Sequence, residues 1–434
     1  VKSTDGGDAT AFEKQDGLYT VCVRGIENGE KFEENIINAS VSRVLSAKNE
    51  WNKILECAHN PQLKIIISNT TEVGIELVQD DIKRYPPVSF PGKLLSFLYE
   101  RYKAFAGSKQ SGMVIVPTEL IIDNGKKLES IVTELAYLNG LEESFIDWLE
   151  NSNRFCNSLV DRIVPGKPDK IQKTNIENEI GYSDDLLIMT EVYRLWAIEG
   201  NDEIAEVLSF AKADKGVVIA EDINLFRELK LRLLNGTHTL SCGVAFLSGF
   251  TTVKQAMDDA RMGKFMATVM QNEIASAIPN KTTPEQTTEF SVNCLDRFRN
   301  PFIEHQWLGI AVQYSSKMKL GVVPVLLQYY ALYKTVPQNI AIGFAAYICF
   351  MRPVKEEDGK YYGRLNGNYY PVNDAQAFYF YEKWQTIQPA LIAVSVLRDI
   401  TLWGYDLNSL PGFAEAVQEI INDIDETGMA SVID

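Results

Sequence analysis

Up to about residue 220 the sequence keeps switching its hydrophobic period, and beyond residue 222 the switching largely stops. Short β-branched runs at 18–24, 63–68, 113–117 and 216–220 alternate with helix-spaced segments at 41–57, 93–106 and 127–138. Strands that are each followed by a helix can return only as crossovers, which gives βαβ units and a mostly parallel sheet. The run LKIII before SNTT is apolar at every position, as a strand buried on both faces requires. Helical spacing then dominates at 224–234, 253–274, 321–333, 338–351, 375–397 and 413–425. One hairpin is expected at 358–372, where Asp358-Gly359 and Asn366-Gly367 supply turns. The pattern predicts an α/β domain over residues 1–221 and a mostly α-helical domain over 222–434.

Charge narrows the partners. With 42 basic and 58 acidic residues the net charge is −16, a surface that repels phosphate backbones and anionic lipid. Nucleic acid and membrane are therefore not expected partners, although a local basic cluster can still hold a small anion. The longest apolar stretch, residues 340–351, is shorter than the roughly 20 residues of a membrane span. Six cysteines lie scattered with no CxxC pair, which suits reduced thiols in a cytoplasmic protein better than a disulfide scaffold or a zinc finger. No signal-peptide pattern opens the sequence.

The string KLRLLNGTH puts Lys230, Asn235 and His238 beside the expected domain boundary. On an α-helix at about 100° per residue, Lys230 lies at 0°, His238 near 80° and Asn235 near 140°, so all three fit one broad face. A lysine in a desolvated cleft suits acid–base work near neutrality. An amide donor beside it can stabilise a developing alkoxide, and a neutral imidazole can hold a substrate hydroxyl. Together they fit interconversion of an alcohol and a ketone. The same string also fits a helix with a solvated lysine, a capping asparagine and a packed histidine.

KLRLLNGTH resembles the signature of the polyol-specific long-chain dehydrogenases, the mannitol dehydrogenase family. SNTTEVGI, FPGKL, VPTELIIDNG, FCNSLVDRIVPG and DRFRNPFIEHQ resemble further blocks of that family in its own order. QDGLYT, AHNP, LVDRIV and RFRNPFIEHQ are similar to the branch that interconverts D-tagaturonate and D-altronate in hexuronate catabolism. The resemblance implies a Rossmann-like NAD-binding domain, a helical substrate domain and hydride transfer without a catalytic metal. No cluster of His, Cys and carboxylates here has metal-ligand spacing. It also implies that Lys230 is the acid–base residue, that Asn235 polarises the substrate oxygen with help from Asn157, and that His238 orients the substrate. Ser68, Asn69 and Thr70 would form a cofactor loop, with Glu119 and Asn124 near the nicotinamide ribose.

Departures from the polyol branch point to a sugar acid. Glu304-His305 stands where polyol relatives tend to carry Asp, Gly200 replaces an acidic residue, and a downstream arginine is replaced within WLGI. His305, Lys317 and Arg299 remain as partners for a carboxylate, Arg299 by a bidentate pair; surface roles for Arg299 and Lys317 are the alternative. The expected partner is a small sugar-acid substrate, bound by a monomer or homodimer. No GxGxxG string occurs, and residues 1–5 resemble the end of the family's second strand, so the first strand and the Gly-rich loop are expected to precede Val1. Asp5 would then meet the adenosine ribose, favouring NAD over its 2′-phosphorylated form. Two other readings are a fructuronate reductase and a non-redox sugar-acid-binding relative without the NAD loop.

Overall fold

The computed structural model describes residues 1–2, 9–279 and 282–433, and Asp5 lies outside them. The chain divides into two compact units, Val1–Arg24 with Phe32–Ile223, and Gly25–Lys31 with Asn224–Asp434.

The first unit is built on parallel strands. Ile65–Ser68 pairs with Val114–Pro117, which pairs in turn with Arg154–Phe155. One residue-pair farther on, the same extended run continues as Ser158–Asp161 and pairs antiparallel with Leu195–Glu199, which lies parallel to Val217–Ala220. Asn157 stands where that run changes partner, and its carbonyl accepts the Glu199 N–H at 2.8 Å. Tyr19–Glu27 is flanked by Glu30–Asn38 and by Ile188–Thr190. The helices Phe90–Ala104, Asn124–Leu138 and Glu143–Ser152 pack on the sheet through one core that includes Leu95, Leu98, Ile115, Leu128, Leu135 and Phe145.

The order of α/β first and helix afterwards is the one expected from the sequence. One helix is shorter than expected: of residues 41–57 only Trp51–Cys57 is helical. The Ala47 N–H is drawn off to the carbonyl of Lys2, and the Glu50 carboxylate takes the Ser46 N–H at 3.0 Å. Both donors are thus used outside a helix.

The second unit is helical around Gln338–Phe350, which is buried along most of its length. Phe413–Thr427 and Thr237–Leu247 pack against it. The expected hairpin is a three-stranded meander of Lys355–Glu357, Lys360–Leu365 and Asn368–Pro371. Its two turns have positive φ at Asp358 and Gly359 and at Asn366 and Gly367, the backbone that tight hairpins demand. No helix among the described residues is long and apolar enough to cross a membrane.

Candidate functional site

The KLRLLNGTH segment is not a plain α-helix. Asn224–Leu229 is α-helical, Lys230–Gly236 winds as a π-helix, and Thr237–Leu247 returns to α. In a π-turn the bonded neighbour along the axis is residue i+5 instead of i+4. Asn235, five residues after Lys230, therefore comes round toward the lysine more closely than the α-phase angles suggested. Lys230 is half-buried and Asn235 exposed. The Asn235 carbonyl accepts from Thr239 Oγ1 at 2.7 Å, fixing the return to α.

His238 sits in an aromatic box. Its ring stacks on Phe298 at 4.1 Å and meets the edges of His305 at 5.1 Å and Trp307 at 6.2 Å. Its Nε2 is buried without a hydrogen-bond partner, which is costly unless something polar reaches it. Burial, reinforced by the charges of His305, Arg297 and Lys317, holds its imidazolium form well below the usual range. His305 is pushed the same way, by burial and then by Lys317 and Arg297. A neutral histidine pair thus lies within the field of two fixed cations.

Lys317 is presented by a short helix, Tyr314–Lys317, entered through Gln313 in the left-handed region at φ 55°. Asp374 fixes this entry by accepting the Ser315 N–H at 2.7 Å and the Ser315 hydroxyl at 2.8 Å. The Lys317 ammonium donates to the Ile310 carbonyl at 2.7 Å, and partial burial lowers its pKa. Arg299, by contrast, is exposed and faces Asp296 at 3.7 Å. The arginine whose charge reaches the histidines is Arg297, near the end of the helix Pro284–Phe298. Sequence reasoning passed over Arg297, Phe298 and Trp307. The string RFRN was the available signal, since its two arginines cannot both point the same way on a helix.

In the first unit the predicted residues hold one another. Glu119 is buried and accepts from Ser68 Oγ at 3.0 Å, and from the Thr70 N–H and Oγ1 at 2.8 Å each. It shapes the loop at the C-terminal end of the strand Ile65–Ser68, leaving Asn69 exposed. Gly74 closes the loop, because a Cβ there would collide with Thr70 Oγ1. Asn124 is fully buried. Its Nδ2 donates to the carbonyls of Pro117, Glu119 and Ser158, each at 3.0 Å, and its Oδ1 accepts the N–H of Gly125 and Ser158. Every polar atom of that amide is committed to backbone. Asn157 is similarly engaged, donating to Glu199 at 3.0 Å and accepting the Lys126 N–H at 3.1 Å. A cavity of about 320 Å³ opens beside it, lined in part by Arg154, Glu199, Asn201 and Glu221.

The family described as Mannitol dehydrogenase Rossmann domain matches residues 8–211, and the Mannitol dehydrogenase C-terminal domain matches residues 222–425. The chain is 37% identical over 427 residues to an altronate oxidoreductase of Bacillus subtilis, covering 98% of this chain and 85% of that protein. It is 37% identical over 444 residues to an altronate oxidoreductase of Pectobacterium carotovorum, covering 100% and 89%. Among solved structures, a substrate-free D-sorbitol dehydrogenase superposes with a TM-score of 0.74 at 19% identity, covering 99% of this chain and 87% of that one. Pseudomonas fluorescens mannitol 2-dehydrogenase, in a ternary complex with NAD and D-mannitol, superposes at 0.60 with 20% identity, covering 98% and 84%.

Proposed function

The chain belongs to the mannitol dehydrogenase family, and on that premise we propose that it is an NAD-dependent oxidoreductase interconverting D-tagaturonate and D-altronate. The observation that carries the substrate class is the pair of neutral histidines under the charges of Arg297 and Lys317, in a chain whose net charge is −16. Cations of this kind suit a carboxylate at the far end of a sugar. The names of the relatives point to the same substrate.

Residues 1–221 are the NAD-binding domain in this reading and 222–434 the substrate and catalytic domain. The exposed edge of the Ser68–Asn69–Thr70 loop, at the C-terminal end of a parallel strand, fits a dinucleotide, since open α/β sheets bind ligands there. NAD bound there supplies the hydride acceptor or donor. During reduction the Lys230 ammonium gives its proton to the carbonyl oxygen and regains it in oxidation. Asn235 donates from its amide to that oxygen as negative charge develops. The amide of Asn157 is already committed to Lys126 and Glu199, so polarisation falls on Asn235. His238, neutral and with Nε2 unpartnered, takes a substrate hydroxyl, and His305, Lys317 and Arg297 meet the carboxylate. We further infer a cytoplasmic enzyme, monomeric or homodimeric, which its free cysteines suit.

The test is NADH oxidation with tagaturonate, fructuronate and fructose side by side. Turnover favouring tagaturonate supports the reading. Preference for fructuronate moves the enzyme to the mannonate-forming branch, and a folded protein inactive on every ketose leaves only a sugar-acid-binding role.

A further inference from the structure

Lys230 opens one π-turn, Lys230–Gly236, and Lys317, assigned a separate task, immediately precedes another, Met318–Val322. The second turn has an evident origin. Pro324 follows it, lacks an N–H, and its ring crowds the carbonyl four residues back, which is that of Leu320. The helix widens there, and the Leu320 carbonyl loses its regular donor. Arg232, which lies inside the first π-turn, replaces that donor. Its Nη1 donates to the Leu320 carbonyl and to the Gly321 carbonyl, the latter at 3.0 Å. Its Nε donates to Glu228 at 3.1 Å, and the guanidinium is almost wholly buried, at 8% exposure for the residue. The two turns approach at glycines: a Cβ placed on Gly236 would lie 4.0 Å from the Gly321 carbonyl.

We propose that Arg232 is a positioning residue for the reaction, clamping the turn that carries Lys230 and Asn235 to the turn that follows Lys317, so that the proton-transfer and carboxylate-binding lysines keep one fixed spacing. The proposal rests on the oxidoreductase reading above. Arg232 need not touch substrate for this. A guanidinium fork reaches two carbonyls and a carboxylate at once, which a lysine cannot do.

The experiment compares wild type with Arg232→Lys, which keeps the charge beside Glu228, and with the double variant Arg232→Gln/Glu228→Gln, which leaves no buried charge unpaired. NADH-binding sites are titrated first, and kcat is given per site so that loss of folded protein does not enter. The expected result in both variants is a fall in kcat of about tenfold or more together with a raised KM for tagaturonate, because small misplacement of reacting groups is expensive; NADH affinity stays as in wild type. Unchanged kcat per site and KM overturn the role of Arg232. A change in only one of the two constants also overturns it, since the clamp couples both lysines. A wild-type protein that turns over no uronate overturns the oxidoreductase reading itself, and the role of Arg232 with it.

Discussion

Asn124 is a buried side chain and His238 a half-buried one whose Nε2 is buried, and the fold treats them oppositely. Asn124 has every hydrogen-bonding atom committed to backbone, to Pro117, Glu119, Gly125 and Ser158. His238 keeps a buried Nε2 without a partner, inside a box of Phe298, His305 and Trp307. A saturated amide stabilises the fold and has nothing left to offer a ligand. An unsatisfied ring nitrogen costs stability and is left for a water or a ligand to complete. The first unit's asparagines and Glu119 therefore brace the backbone around the Ser68–Thr70 loop, and the second unit's histidines and cations are the groups proposed above to meet substrate.

Lys230→Ala tests that division most severely. If Lys230 is the proton donor proposed above, its removal is expected to lower kcat by roughly 10²–10⁴-fold, while NADH affinity, measured by fluorescence titration, stays unchanged. A variant that keeps most of its turnover removes the mechanism. Asn124→Ala tests the opposite side. It strips the Ser158 N–H and three carbonyls of a buried partner, at a cost of about 2–3 kcal/mol in stability. Thermal unfolding should fall accordingly, with kcat per folded molecule preserved. Loss of cofactor binding in a protein that unfolds normally would return Asn124 to the ribose contact that the sequence suggested.

The sequence made some of this contrast visible and hid the rest. The strands Val114–Pro117 and Val217–Ala220 fall within one residue of expectation, because a β-branched run bounded by polar turns has few other uses. Glu30–Asn38 was not expected as a strand: EKFEENIIN is mostly exposed and lacks clean alternation. The Lys230–Asn235–His238 spacing was legible, yet the π-turn beneath it was not, since KLRLLNG carries no breaker before Gly236. Nor does local pattern say that Phe298, Trp307 and Arg297 close around His238, or that Arg232 reaches Leu320 far along the chain. Those are tertiary facts. Asn124 shows the reverse, a polar residue after a strand whose type suggests a ligand, while its side chain is wholly engaged with backbone.

Lys317→Met probes the cations beside the two histidines. If its ammonium meets a carboxylate, KM for tagaturonate rises by about tenfold, the scale of one charge-assisted hydrogen bond, and KM for fructose changes little. Equal effects on both substrates would reduce Lys317 to its contact with the Ile310 carbonyl.

The smallest expected effect concerns pH, and its sign follows from burial. The folded state pushes the pKa of His238 well below its ordinary 6.5, first by desolvation and then through His305, Arg297 and Lys317. Below that ordinary value the unfolded chain binds a proton that the folded chain does not, so stability rises with pH there. The protein should keep full stability above about pH 6.5 and lose part of it as pH falls from there toward the folded pKa. His238→Gln removes the titration and should flatten that slope in thermal unfolding, by an amount that His305, shifted in the same direction, only partly masks. The Lys317 ammonium sharpens the test. Its charge depresses both histidines, so Lys317→Met should let each protonate at higher pH and make the acid loss shallower. An unchanged slope in both variants would mean that the box around His238 admits water freely, and that its unpartnered Nε2 is a solvated atom instead of a waiting contact.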